Sequence, residues 1–260
     1  MPGVLAWLVA WCAVLGLVIG SFLNVVIHRV PKGESIVKPR SRCPKCGTEI
    51  AGRDNVPVVS WLVLRGRCRH CGEPISARYP AVEVLTAVLF GVVAGKLGFD
   101  WALPAFLVLT AALVALSMID LDTYRLPTPI IYTTIAISLP LLALAALLDG
   151  DARGIVEALA GGAIAFGLLF VIHLISPRGM GFGDVRLAGL LGLFLGWIEL
   201  PMVGVGLFLG FLLAAVVGIG LMIAGRRGRR DRVPFGPFLA AGALLAVLVG
   251  DAILRVYLGR

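Results

Sequence analysis

The sequence predicts an all-α polytopic membrane protein of about eight transmembrane helices with a small cytosolic zinc-ribbon-like loop domain. Three observations predict it. The 260 residues are 59% hydrophobic and 15% charged, against roughly 45–50% and about 25% in a soluble domain. The apolar residues gather into runs close to the ~20 residues that a helix needs to cross a bilayer. Basic residues concentrate in alternate loops, as the positive-inside rule demands of a multi-pass protein. This composition excludes a soluble enzyme.

Taken in order, the candidate spans are 4–27, 80–96, 101–119, 127–148, 154–175, 185–199, 200–224 and 234–257. The first could be mistaken for a secretory signal, but a signal carries a basic n-region and a short apolar core. Pro2 to Ile27 holds no charge and is long enough to span, so it reads as a first, uncleaved transmembrane helix. The sixth span is short, and Glu199 with Pro201 marks a tight turn into the seventh. Three parts follow: residues 1–27 as the first helix, 28–79 as a cytosolic four-cysteine loop, and 80–260 as a membrane domain of seven helices.

Charge orients the scheme. With the N-terminus outside, the loops 28–79, 120–126, 176–186 and 225–233 lie inside and hold 19 of the 23 Lys/Arg. Both termini are therefore expected outside. The two basic clusters are read as topology signals and contacts with anionic lipid, so the lipid bilayer is an expected partner and nucleic acid is not.

Only 28–79 is large enough to fold by itself. It carries Cys43-Pro-Lys-Cys46 and Cys68-Arg-His-Cys71, with 21 residues between the pairs. Two C-x2-C knuckles complete a tetrahedral four-thiolate zinc site, and such a closed shell is structural rather than catalytic. Two disulfides are the competing reading, but charge puts this loop in the cytosol, where disulfides are rare. The metal ligands are thus Cys43, Cys46, Cys68 and Cys71. Cys12, in an apolar run, reads as a small buried hydrophobe. His70 reads as a solvated neighbour of the site, and His28 and His173 as interfacial polar residues.

Acids inside apolar segments are expensive and need a reason. Asp100, Asp149, Asp151, Asp231 and Asp251 fall in loops or at span ends, and Glu83 and Glu157 lie near span ends. Asp120 closes the run Trp101–Ile119, and Asp184 closes the glycine-rich turn Gly179-Met-Gly-Phe-Gly-Asp184. Singly, Asp184 could be a helix N-cap and Asp120 a solvated boundary residue. Two spans separate them, however, so both face the same side of the membrane, and charge makes that side cytosolic. Two converging carboxylates share a proton, and such a pair can activate water and protonate a scissile carbonyl. Asp122 is a rival for the first position, but it lies farther from the span and on a different helix face.

Several segments resemble one family in the right order. They are Gly20-Ser-Phe-Leu-Asn-Val-Val-Ile-His-Arg-Val-Pro31, the cysteine loop from Asn55 through Cys68 to Arg78-Tyr-Pro80 and Glu83, Ser117-Met-Ile-Asp120, and Gly181-Phe-Gly-Asp184. The chain resembles the prepilin peptidase (type IV leader peptidase) family, membrane aspartic proteases of the GxGD class. The resemblance implies Asp120 and Asp184 as the catalytic pair, and a prepilin or secretion pseudopilin as substrate. It also implies a bacterial inner (cytoplasmic) membrane location with cleavage on the cytosolic side. Many members then N-methylate the new terminus with S-adenosylmethionine. No nucleotide fingerprint marks a cofactor-binding segment, so that activity rests on the resemblance. The family often has Leu-Pro-Asp after the first aspartate, where this chain has Leu126-Pro127-Thr128. Two other classes compete. One is a proton-coupled transporter, disfavoured because the acids lie at one leaflet and no internal repeat is found. The other is a non-catalytic zinc-ribbon membrane adaptor.

Overall fold

Every apolar run becomes a helix. The computed structural model describes residues 2–177, 179–225 and 233–258. The long helices are α1 (Pro2–Arg29), α3 (Arg78–Leu97), α4 (Leu103–Thr123), α5 (Thr128–Asp149), α6 (Arg153–Ile175), α7 (Phe182–Ile198), α8 (Leu200–Ile223) and α9 (Gly236–Leu258), with a short α2 (Val59–Val63) in the first loop. Among the described residues there is no sheet, only two isolated β-bridges. Arg178, Arg226, Arg227, Arg229, Arg230, Arg232 and Arg260, which enter the charge argument, lie outside the described residues.

Among the described residues, seven helices are long and apolar enough to cross a membrane. The sixth predicted span, α7, has 17 residues, about 25 Å at 1.5 Å per residue and short of a ~30 Å hydrocarbon core. The expected tight turn after it is one extended residue, Glu199, with Pro201 opening α8. Leu-Asp-Thr123 continues α4 past the end of the apolar run, because polarity alone does not stop a helix. Tyr124 does, at φ +54°.

The chain divides into two compact units, Met1–Leu103 and Pro104–Arg260. In the first, α1 and α3 run antiparallel with their backbones nearly touching. A Cβ on Gly16 would sit 2.6 Å from Ala87 Cα, and one on Gly20 2.7 Å from Glu83 Cα. In lipid no hydrophobic effect drives helices together, so small residues that admit close van der Waals contact take its place. The second unit repeats the device between α6 and α7 through Gly161, Gly192 and Gly196, and between α8 and α9 through Gly206, Gly210 and Gly242. Phe106 of α4 meets Phe194 of α7 edge to face at 5.1 Å.

Candidate active site and metal centre

In the second unit, Asp120 lies in the last turn of α4 and is 4% exposed. Its Oδ2 accepts the backbone N–H of Gly236, the first residue of α9, at 3.0 Å. Asp122 is exposed.

Asp184 is not the N-cap. That position falls to Gly181, in extended conformation, and Asp184 occupies the third position of α7. From there its Oδ2 reaches back to accept the Gly181 N–H at 3.1 Å, the reciprocal half of a capping box. Leu126 packs between the starts of α7 and α9, against Gly183 and Gly236. A Cβ on Gly183 would lie 3.1 Å from Leu126 Cβ, and one on Gly236 would lie 3.0 Å from Leu126 Cδ2 and 2.9 Å from Asp120 Oδ2.

The glycine-rich turn is held from both sides. The His173 ring nitrogen Nδ1 bonds Met180 O at 2.8 Å, and Phe182 packs edge-on against Phe166 and Phe170. The Arg186 guanidinium lies 4.5 Å from the centre of the Phe182 ring. It donates to Thr128 Oγ1 at 2.6 Å, at the position where an acid is common in the resembling family.

In the first unit, the four cysteines converge. The Sγ atoms of Cys43, Cys46, Cys68 and Cys71 all lie within 4.8 Å of one another. Tetrahedral Zn–S bonds of 2.3 Å put sulfurs about 3.8 Å apart, and Cys43 Sγ and Cys71 Sγ are 3.7 Å apart. All four are free thiols, so the donor set fits a structural zinc ion. The two knuckles are built alike. Cys43 N–H donates to Thr48 O and Cys68 N–H to Glu73 O. Gly47 and Gly72 turn each knuckle at φ +70° and +71°, a conformation that glycine adopts without steric cost. A glycine directly after each C-x-x-C was a legible signal that the spacing argument passed over. The Thr48 hydroxyl, 3.4 Å from Cys46 Sγ, and the Thr48 amide hold that thiol down to about 6. His70 is exposed and is not among the converging ligands. Asp54 accepts two contacts from Arg69 Nε, at 3.0 and 2.9 Å, and one from its Nη2 at 2.6 Å, tying the 3₁₀ turn Gly52–Asp54 to the second knuckle.

A cavity of about 500 Å³ opens beside this centre, lined by Asn24, His28, Asp54, Trp61, Glu73 and Glu83 among others. Glu83 is 8% exposed, and its Oε2 accepts the Val58 N–H at 2.7 Å. Val58 stands at φ +59°, ψ −48°, strained backbone for a β-branched residue. Nothing in the spacing of Glu83 announced this contact, since it depends on how the loop folds back onto α3.

Comparison with known proteins bears on both halves of the chain. Residues 14–97 match the bacterial peptidase A24 N-terminal domain, and residues 107–223 match the type IV leader peptidase family. A protein of Aeromonas hydrophila called prepilin leader peptidase/N-methyltransferase is 41% identical, covering 93% of this chain and 91% of its own. Proteins of the same name from Stutzerimonas stutzeri and Pseudomonas aeruginosa are each 36% identical, covering 95% and 94% of this chain and 93% and 91% of their own. No solved structure matches. Two domain matches in order, and relatives aligned over nine-tenths of both chains, leave one conclusion: this multi-pass membrane protein belongs to the type IV leader peptidase family and is a peptidase.

Proposed function

We propose that the chain removes the leader from type IV prepilins or secretion pseudopilins at the cytosolic face of the bacterial inner membrane, with Asp120 and Asp184 as the acid pair. The observation that carries this reading is Asp120, buried in the last turn of α4 and held by Gly236, with Leu126 packed both on Gly236 and on Gly183, the residue before Asp184. One carboxylate is ionised and takes a proton from water as the oxygen attacks the scissile carbonyl carbon. The other, protonated, gives its proton to the carbonyl oxygen. Collapse of the tetrahedral intermediate breaks the C–N bond, and a proton passes to the departing amine. The products are a leader with a new carboxylate and a mature chain with a new N-terminal amine. A prepilin keeps an apolar helix in the bilayer and a polar leader in the cytosol. Its scissile bond then lies near the interface, and both aspartates stand at helix ends.

The test is cleavage of a prepilin by wild type, Asp120→Asn and Asp184→Asn, each shown to accumulate in membranes. Each substitution is expected to abolish leader removal, and normal processing by either one refutes the acid pair.

The relatives' names join a second activity to the first, N-methylation of the exposed terminus. S-adenosylmethionine would supply an electrophilic methyl group there, and the new amine would be the acceptor. The cavity of the first unit has a fitting size, since small-ligand sites run about 300–1,000 Å³, and Glu83 fixes its wall by holding Val58. Equilibrium binding of S-adenosylmethionine to purified protein checks this. Glu83→Ala is expected to weaken binding about tenfold, roughly 1.4 kcal/mol. Glu83→Gln, whose amide oxygen still accepts the Val58 N–H, is expected to bind as wild type does. Equal binding by all three removes the cavity from this role.

A further inference from the structure

We infer that Gly236, at the start of α9, is a positioning residue for the acid pair, so that the segment Pro234-Phe-Gly-Pro237 forms a third part of the catalytic centre. The inference rests on the assignment of Asp120 and Asp184 above.

The first N–H groups of a helix lack partners within it. In α9 they are almost all accounted for locally. The Phe238 and Leu239 N–H groups donate to Phe235 O at 3.1 and 3.2 Å, and Pro237 has none. The Gly236 N–H is left, and it goes to Asp120 Oδ2, 116 residues away and in a buried setting. Asp184 is held in the same manner, by the Gly181 N–H on Oδ2. Each aspartate therefore has one oxygen fixed by a glycine N–H at a helix start. Fixed donors at a reacting carboxylate orient it without reorganisation during the reaction.

A side chain at this position would also disturb the carboxylate. A Cβ there would lie 2.9 Å from Asp120 Oδ2 and 3.0 Å from Leu126 Cδ2, so any side chain displaces the carboxylate or the leucine that packs against Gly183. The segment is anchored independently of the acids, because Phe235 packs on Phe211 of α8 with ring centres 4.9 Å apart. This anchor lets the N–H hold Asp120 in place instead of following it.

The test is the steady-state cleavage of a prepilin peptide by purified full-length protein, with Asp120→Asn and Asp184→Asn assayed in parallel. Displacing a catalytic group by about 1 Å costs on the order of 100-fold, so Gly236→Ala is expected to lose about that factor in kcat with KM nearly unchanged. In the double variant Gly236→Ala/Leu126→Ala the leucine contact is relieved and the Asp120 contact is not, so activity is expected to stay low. Recovery in the double variant would mean that only packing was at stake and would overturn the inference, as would an unchanged kcat in Gly236→Ala. If Gly236→Ala does not accumulate, Phe235→Ala loosens the anchor without a new contact at Asp120. It is expected to lower kcat with KM unchanged, and a kcat equal to wild type overturns the inference. Activity in the aspartate variants would instead refute the acid pair itself, so the two failures are distinguishable.

Discussion

Asp120 and Asp122 share the last turn of α4 but not its environment: Asp120 is 4% exposed and bonded to Gly236, whereas Asp122 is exposed. Two residues apart on a helix means about 200° of rotation, so one side chain enters the bundle as the other leaves it. Cleavage of a prepilin by Asp122→Asn is therefore expected to stay within about threefold of wild type, whereas general acid–base groups contribute roughly 100- to 10,000-fold. Loss of processing in Asp122→Asn with processing retained in Asp120→Asn would move the first acid to the rival position.

The four cysteines support a prediction about metal. Purified protein is expected to carry about one zinc per chain, and Cys43→Ser/Cys68→Ser is expected to carry none, because each knuckle loses a ligand. Elemental analysis reads the metal directly. Wild type isolated with no metal and two disulfides would overturn the assignment. Because the site has no open coordination position, stripping zinc with a chelator is expected to make residues 28–79 protease-sensitive through loss of folding energy.

Much of this fold was legible because bilayer crossing imposes length and hydropathy directly on the sequence. The eight runs became eight helices, with boundaries such as 154–175 against Arg153–Ile175 and 200–224 against Leu200–Ile223. Where the reading slipped, conformation rather than hydropathy decided. Asp184 moved from the cap to the third position of α7 because Gly181, two residues before Gly183, adopts the extended cap geometry. The Cys43–Cys71 convergence was legible because C-x2-C spacing is itself a geometric constraint. Gly236 was not. A glycine followed by proline reads as an ordinary helix start, and no local pattern reports a hydrogen bond across 116 residues.

The crossing of α6 and α7 yields the last prediction, because it sets where Asp184 stands. α7 is short, and it presents Gly189, Gly192 and Gly196 to α6. A Cβ on Gly192 would lie 2.5 Å from Ala165 Cβ and would also run into the Gly161 carbonyl. Neither backbone nor Cβ can rotate aside, so Gly192→Ala must push the helices apart, and such overpacking costs about 1–3 kcal/mol. Gly167, also in α6, has nothing within 4 Å of where its Cβ would be. Alanine there meets no neighbour and gains helix propensity of up to about 1 kcal/mol. In thermal unfolding of the detergent-purified protein, Gly192→Ala is expected to lower the midpoint, and Gly167→Ala to leave it unchanged or raise it. Equal midpoints for the two variants would show that the α6–α7 contact is not set by its glycines. Because Asp184 sits on the first turn of α7, Gly192→Ala is also expected to reduce prepilin cleavage below its own unfolding transition, a loss that Gly167→Ala does not share.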